Sequence, residues 1–198
     1  KSLTELADLL ANLRTAGGDK PPVVVHCHGV FDLLHIGHIR YLQKARELGD
    51  LLVVTATPDR YVNKGPHRPA FNEKHRLDSL AALHCVDYVA VNEWPIANEA
   101  LRLLKPDIYA KGAEFRDQKT PELLEEEAVA RELAGRVEFV DLSGFNIVEV
   151  VVAKTGNLRL ILDFQGTWRR VFKTCNFYVR KHRNSLFKSF EFVKTTQK

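Results

Sequence analysis

No methionine occurs in this 198-residue chain, and cysteine is limited to three scattered positions, Cys27, Cys85 and Cys175. A natural chain starts with methionine, so the sequence reads as a trimmed one, and spacings inside motifs carry more weight than spacings across loops. An odd cysteine count without a Cys-x-x-Cys argues against a secreted disulfide scaffold. It fits a reducing cytosol, so a cytoplasmic location is expected, with the thiols acting as small apolar residues. No run of 18 apolar residues exists, so no membrane span is expected. Residues 1–20 carry Glu5 and Asp8 among leucines at helical spacing, without a small-residue cleavage site after them, and do not read as a signal peptide. Internal repeats and low-complexity stretches are also missing.

What is present is enough apolar sequence, 45%, to build a core, which argues against global disorder. The net charge of +4 is unevenly placed. From Lys154 to the end there are 11 Lys and Arg against 2 Asp and Glu, whereas the residues before it hold 18 against 23. The body is mildly acidic and the tail strongly basic, an asymmetry that marks either an anionic contact or a junction between modules.

Periodicity supplies the organisation. Leu3, Leu6, Leu9, Leu10 and Leu13 fall on one helical face, and Gly17-Gly18 ends that helix. Residues 23–28 form a short apolar run typical of a buried parallel strand. Helices are expected over 39–48, 72–83 (with Asn72 as N-cap), 96–104 and 121–133. Strands are expected over 51–57, 86–91, 107–110 and 137–141. This alternation predicts an α/β fold, a doubly wound Rossmann-like parallel sheet with helices on both faces and ligands at the carboxyl ends of its strands. The expected organisation is an N-terminal helix over 1–20, an α/β domain over 21–153 and a basic extension over 154–198. In the extension, 158–164 and 169–179 could pair as a β-hairpin around Gly166.

The chemistry is concentrated where the first strand meets its helix, in Gly29-Val30-Phe31-Asp32-Leu33-Leu34-His35-Ile36-Gly37-His38. Gly29 permits a sharp turn and Gly37 lets a phosphate approach the main chain. A helix N-terminus offers free N–H groups and positive dipole to an anion. His35 and His38 can donate to phosphate oxygens as charge builds during transfer. Lys44 and Arg46, one to two turns on, are expected to reach the same charge. His26 and His28 also lie close in sequence, but a structural zinc wants four closed ligands and Cys27 points to the other face, so zinc is not the preferred reading.

These residues resemble the cytidylyltransferase-like nucleotidyltransferases, and within them the branch that adenylylates D-glycero-β-D-manno-heptose 1-phosphate. The resemblance covers roughly residues 22–142. It is carried by the motif His28 to His38, by Asn63-Lys-Gly-Pro-His-Arg-Pro-Ala-Phe71, by Arg76 and by Lys105-Pro-Asp-Ile-Tyr-Ala-Lys-Gly112. It implies that Gly29, Val30, Phe31, Asp32, Gly37, His35 and His38 hold a nucleoside triphosphate, with ATP as co-substrate. Lys44 or Arg46 would help neutralise it, Asp32 would help place Mg2+, and Lys64 would sit on a loop closing over the phosphates. Arg76 would face the nucleotide, and Lys111, Gly112 and Glu114 would contact base or ribose. Ser143 and Asn146 stand where the family carries a Ser/Thr-rich phosphate contact, and that pattern is damaged here.

The activity so implied is transfer of AMP from ATP to a sugar 1-phosphate with release of pyrophosphate. Two other readings stay open: a CTP-dependent cytidylyltransferase acting on glycerol phosphate or a similar alcohol phosphate, and a nucleotide-binding protein weakened in turnover. Residues 169–192 faintly resemble an edge segment of ribokinase-like sugar kinases, so a fused or associated sugar kinase is an expected partner. The aromatic residues among Arg and Lys in the tail raise nucleic-acid binding, but a solvated basic face is preferred. A homo-oligomer is expected.

Overall fold

Five parallel strands form the centre of the first unit of the computed structural model, which describes residues 1–117, 119–133 and 135–142 together with four short strands farther on. In chain order the elements of the first unit are α1 (Leu3–Ala16), β1 (Val24–Gly29), α2 (Ile36–Arg46), β2 (Leu51–Ala56), a 3-10 turn (Asp59–Tyr61), α3 (Glu73–Ala81), β3 (Tyr88–Val91), α4 (Asn98–Leu104), β4 (Ile108–Gly112), α5 (Glu114–Asp117), α6 (Pro121–Glu132) and β5 (Arg136–Val140). The sheet order is β3-β2-β1-β4-β5. The chain therefore leaves β1 first to one side and later to the other, and the order reverses between β1 and β4. In open parallel sheets that point leaves a crevice at the carboxyl edge.

Burial on both faces explains why the strands read as continuous apolar runs. Val25, Cys27, Leu52 and Val54 pack with Leu42, Ala45 and Leu80. Val24, Val53 and Ala90 pack on the other side with Leu3, Leu6, Leu10, Ala100 and Leu104. Thus α1, begun by a reciprocal Ser2–Glu5 capping box, covers the sheet as part of the core. The amino edge of the sheet is closed by aspartates. Asp50, Asp87 and Asp107 each accept a backbone N–H, from Val23, Leu52 and Val24, at 2.7–2.8 Å.

Two local features differ from expectation. Helix α2 starts three residues early, at Ile36, because His35 acts as its N-cap. Residues 114–117, expected as loop, form one helical turn.

The structure divides between Leu142 and Ser143. The second unit contains two antiparallel pairs, β6 (Val148–Val152) with β7 (Leu158–Leu162) and β8 (Phe177–Lys181) with β9 (Phe190–Lys194). Leu158–Leu162 thus pairs with Val148–Val152, where the sequence suggests a hairpin with 169–179; residues 169–176 lie outside the described residues. Ser143 and Asn146 lie outside the described residues.

Candidate active site

The end of β1 and the start of α2 bring the glycines and histidines of the motif together. His35 is extended, and its Nδ1 accepts the Gly37 N–H at 3.1 Å. In its neutral form the ring must then carry its proton on Nε2, which makes that nitrogen a donor. His38 lies in the first turn, its ring stacked on His35 at 3.9 Å between centroids. Burial, then the His35 ring and then the Lys64 charge push the His38 pKa down to about 4. Its Nδ1 is buried and lacks a hydrogen-bond partner among the described residues.

Phe31 supports this pair. Its backbone is left-handed (φ 47°), and its ring meets His38 edge-on at 5.3 Å. Gly29 makes room: a Cβ there would stand 3.2 Å from the Phe31 ring. A left-handed phenylalanine is a strained choice, of the kind that clusters at functional sites.

Asp32 is 6% exposed, and its oxygens are occupied. Oδ1 accepts the N–H groups of Ala70 (2.6 Å) and Phe71 (3.2 Å), and Oδ2 pairs with Arg68 Nη1. The segment after the 3-10 turn bends back to it through Gly65 (φ 95°) and His67 (φ 61°). Asp32 is therefore the anchor of that loop, a role that a motif aspartate does not announce. Lys64 is exposed on the same loop and close enough for its charge to act on His38.

Arg76 is not turned toward a ligand. It is 1% exposed and donates to the carbonyls of Phe71 (3.1 Å), Thr57 (2.7 Å) and Val30, and to Asp59 Oδ1 at 2.7 Å. One guanidinium thus ties the segment after β1, the segment after β2 and the start of α3. The reading of Arg76 as nucleotide-facing gives way to a clamp that shapes the loops around the site.

Lys44 and Arg46 are carried away from the histidines, because α2 runs back across the sheet. At 1.5 Å per residue they lie about 9 and about 12 Å farther along the axis than His38. Arg46 pairs with Asp87 at 3.0 Å and donates to Gly49 O at 2.6 Å, both at the amino edge of the sheet. Its distance from the histidines removes it from the candidate catalytic set.

On the neighbouring strand, Lys111 is 11% exposed on its side chain and pairs with Glu126 at 2.8 Å. Glu126 also accepts from Tyr109 OH (2.7 Å) and the Ala97 N–H (3.0 Å). Burial opposes its charge, but Lys111 and these donors outweigh it and hold the carboxyl below its ordinary value. Lys111 thus anchors β4 to α6, and its charge is already matched. Glu114 folds its carboxylate over Gly112, where a Cβ would collide with it.

The histidines considered for zinc face hydroxyls. His26 Nε2 and His28 Nδ1 both meet Thr55 Oγ1, at 2.8 and 2.9 Å, and His28 Nε2 lies 3.3 Å from Thr57 Oγ1. Burial holds the His28 pKa down to about 4 and that of His26 well below its usual value. Sequence reasoning assigned no site role to Arg68, Thr55, Thr57, Asp59 or Glu126. For Arg68 a signal existed, the arginine inside Gly-Pro-His-Arg-Pro. The others act through contacts distant in sequence.

The arrangement, a glycine turn at the switch point of the sheet and two stacked histidines at a helix start, matches a known family. The cytidylyltransferase-like family model covers residues 26–197. The chain belongs to the cytidylyltransferase-like family. Its first unit is a Rossmann-like nucleotidyltransferase domain. Among curated relatives it is 44% identical over 135 residues to the bifunctional protein HldE of Syntrophotalea carbinolica, covering 65% of this chain and 27% of the relative. It is 42% identical over 153 residues to the HldE of Pelobacter propionicus, covering 74% of this chain and 30% of that one. The chain thus spans under a third of the length of these two relatives. A solved lipopolysaccharide core biosynthesis protein from Thermoplasma volcanium shares 33% identity at a TM-score of 0.52, over 63% of this chain and 99% of that one. Among the described residues no helix is long and apolar enough to cross a membrane.

Proposed function

We propose that this chain transfers AMP from ATP to a sugar 1-phosphate of the heptose 1-phosphate type, releasing pyrophosphate and forming an ADP-sugar. The observation that carries the reading is the His35–His38 pair at the start of α2, beside the switch point of the sheet. In the step, a phosphate oxygen of the acceptor attacks the α-phosphorus. A new P–O bond forms, and the bond from the α-phosphorus to its bridging oxygen breaks. The electron pair leaves with pyrophosphate. Charge grows on the non-bridging and leaving oxygens, where preformed donors act most strongly. His35 Nε2–H, His38 and Lys64 are the donors. Phosphate charge beside a depressed His38 favours its protonated form, so His38 takes up a proton as the triphosphate binds.

Asp32 as found does not suit a direct Mg2+ ligand, since its oxygens already serve Arg68, Ala70 and Phe71. A divalent cation would be held by phosphate oxygens and water. That the curated relatives are named bifunctional supports a second activity on a longer polypeptide, and we assign a sugar kinase to it. The test is steady-state pyrophosphate release with D-glycero-β-D-manno-heptose 1-phosphate and either ATP or CTP. ATP is expected to be preferred. A tenfold preference for CTP would place the chain with the cytidylyl enzymes, and triphosphate binding without release would make it a binding protein.

A further inference from the structure

Arg68 has no role in the reading above, yet its setting is that of a ligand-binding arginine. It stands on the loop that carries Lys64, and its side chain is 30% exposed. The paired carboxylate, Asp32, is 6% exposed and belongs to the same turn as Phe31 and His35. The pair uses Arg68 Nη1, whereas a guanidinium presents five N–H donors in a fixed fork. Holding the loop does not require that fork, because Asp32 already binds the Ala70 and Phe71 N–H groups.

Charge balance points the same way. A triphosphate and a phosphate monoester bring several negative charges to one crevice. Arg76 is covered and spent on three carbonyls and Asp59. The Lys111 side chain is only 11% exposed and is held by Glu126, and Arg46 stands at the opposite edge of the sheet with Asp87. Arg68 keeps donors in reach of solvent while a buried carboxylate fixes its orientation, and arginine held this way suits bidentate recognition of phosphate.

We infer that Arg68 is a phosphate-binding residue of this site, aimed by Asp32; the inference rests on the site binding nucleotide and not on which acceptor it uses. The phosphate comes either from the triphosphate tail or from the acceptor. Two titrations of the full chain at about 0.15 M salt separate them. Inorganic pyrophosphate added to the free protein reads the tail. Inorganic phosphate added to the ATP-saturated protein reads the acceptor position. Arg68→Gln is expected to weaken one of the two by about tenfold, the scale of a lost charge-assisted bond. Arg68→Lys keeps the charge but loses the fork and should lie between.

Asp32→Asn separates binding from loop-holding, since the amide oxygen can still accept from Ala70 and Phe71 while the ion pair is weakened. It should lose clearly less phosphate affinity than Arg68→Gln. The inference is overturned if Arg68→Gln changes both titrations less than twofold, or if Asp32→Asn loses as much as Arg68→Gln. Should Arg68→Gln fail to fold, Arg68→Lys decides, with a loss of about threefold supporting the role and unchanged affinity overturning it. Absence of turnover with heptose 1-phosphate would count against the sugar reading alone, because neither titration uses the sugar.

Discussion

The imidazole rings of His35 and His38 stack 3.9 Å apart, with 25° between their planes. Two stacked imidazoles resist being protonated together, and the burial of His38 adds to that resistance. The His38 ring is therefore neutral at neutral pH, and a bound triphosphate supplies the reason to charge it. Calorimetric titration of ATP near pH 6 in buffers of different ionisation enthalpy should show net proton uptake, reduced in His38→Gln. Binding with no proton uptake would contradict this account of His38.

Stability should depend on pH through the buried histidines. His28 and His38 titrate near pH 4 in the folded chain, and His26 well below its usual value. In the unfolded chain they titrate near 6.5. Their folded values are depressed, so between about pH 6.5 and pH 4 the unfolded chain binds more protons. The stability is fully present above that window and is lost as pH falls through it. Urea midpoints should hold from pH 7.5 to about 6.5 and fall from there to pH 5, and His28→Asn should flatten the fall. A flat profile in the wild type would show that these rings are solvated.

Arg76 should behave as a clamp. Arg76→Met strands three carbonyls and the Asp59 carboxylate, and a loss of about 2–4 kcal/mol is expected on denaturant unfolding. Arg76→Lys should recover little, because one ammonium cannot reach acceptors spread over three segments. Unchanged stability with weakened ATP binding would restore the nucleotide-facing reading.

The division of labour between these residues explains what could be read from sequence. The sheet was legible because β1 and β2 are buried on both faces and bounded by glycine, proline and aspartate. The position of His35 and His38 was legible because a strand, a glycine turn and a helix start adjoin in sequence. The start of α2 was placed late because an imidazole, rather than a usual capping residue, satisfies its Gly37 N–H. Counting helical turns puts Arg46 near the phosphates, but the count ignores that α2 runs antiparallel to the strands. Arg76 reads as a ligand contact from the family resemblance of its helix, and Lys111 from its place at a strand end. Their partners, Val30, Thr57, Asp59 and Glu126, come from segments that no local pattern links to them.

The basic tail offers a separate test. We expect residues 143–198, the second unit, to be dispensable for triphosphate binding, since His35, His38 and Lys64 all belong to the first. A chain ended at Leu142 should keep ATP affinity at moderate salt, where nonspecific attraction to a basic tail is screened. A folded truncation that loses salt-resistant binding would show that the tail completes the site.

Single-turnover measurement of pyrophosphate formation on saturated His38→Ala tests most directly whether the histidine pair stabilises the transferred phosphoryl group. The rate should fall by roughly 10²-fold or more, with ATP still bound and the fold intact, and a comparable loss is expected in His35→Ala. Turnover in His38→Ala equal to that of the wild type would contradict that role.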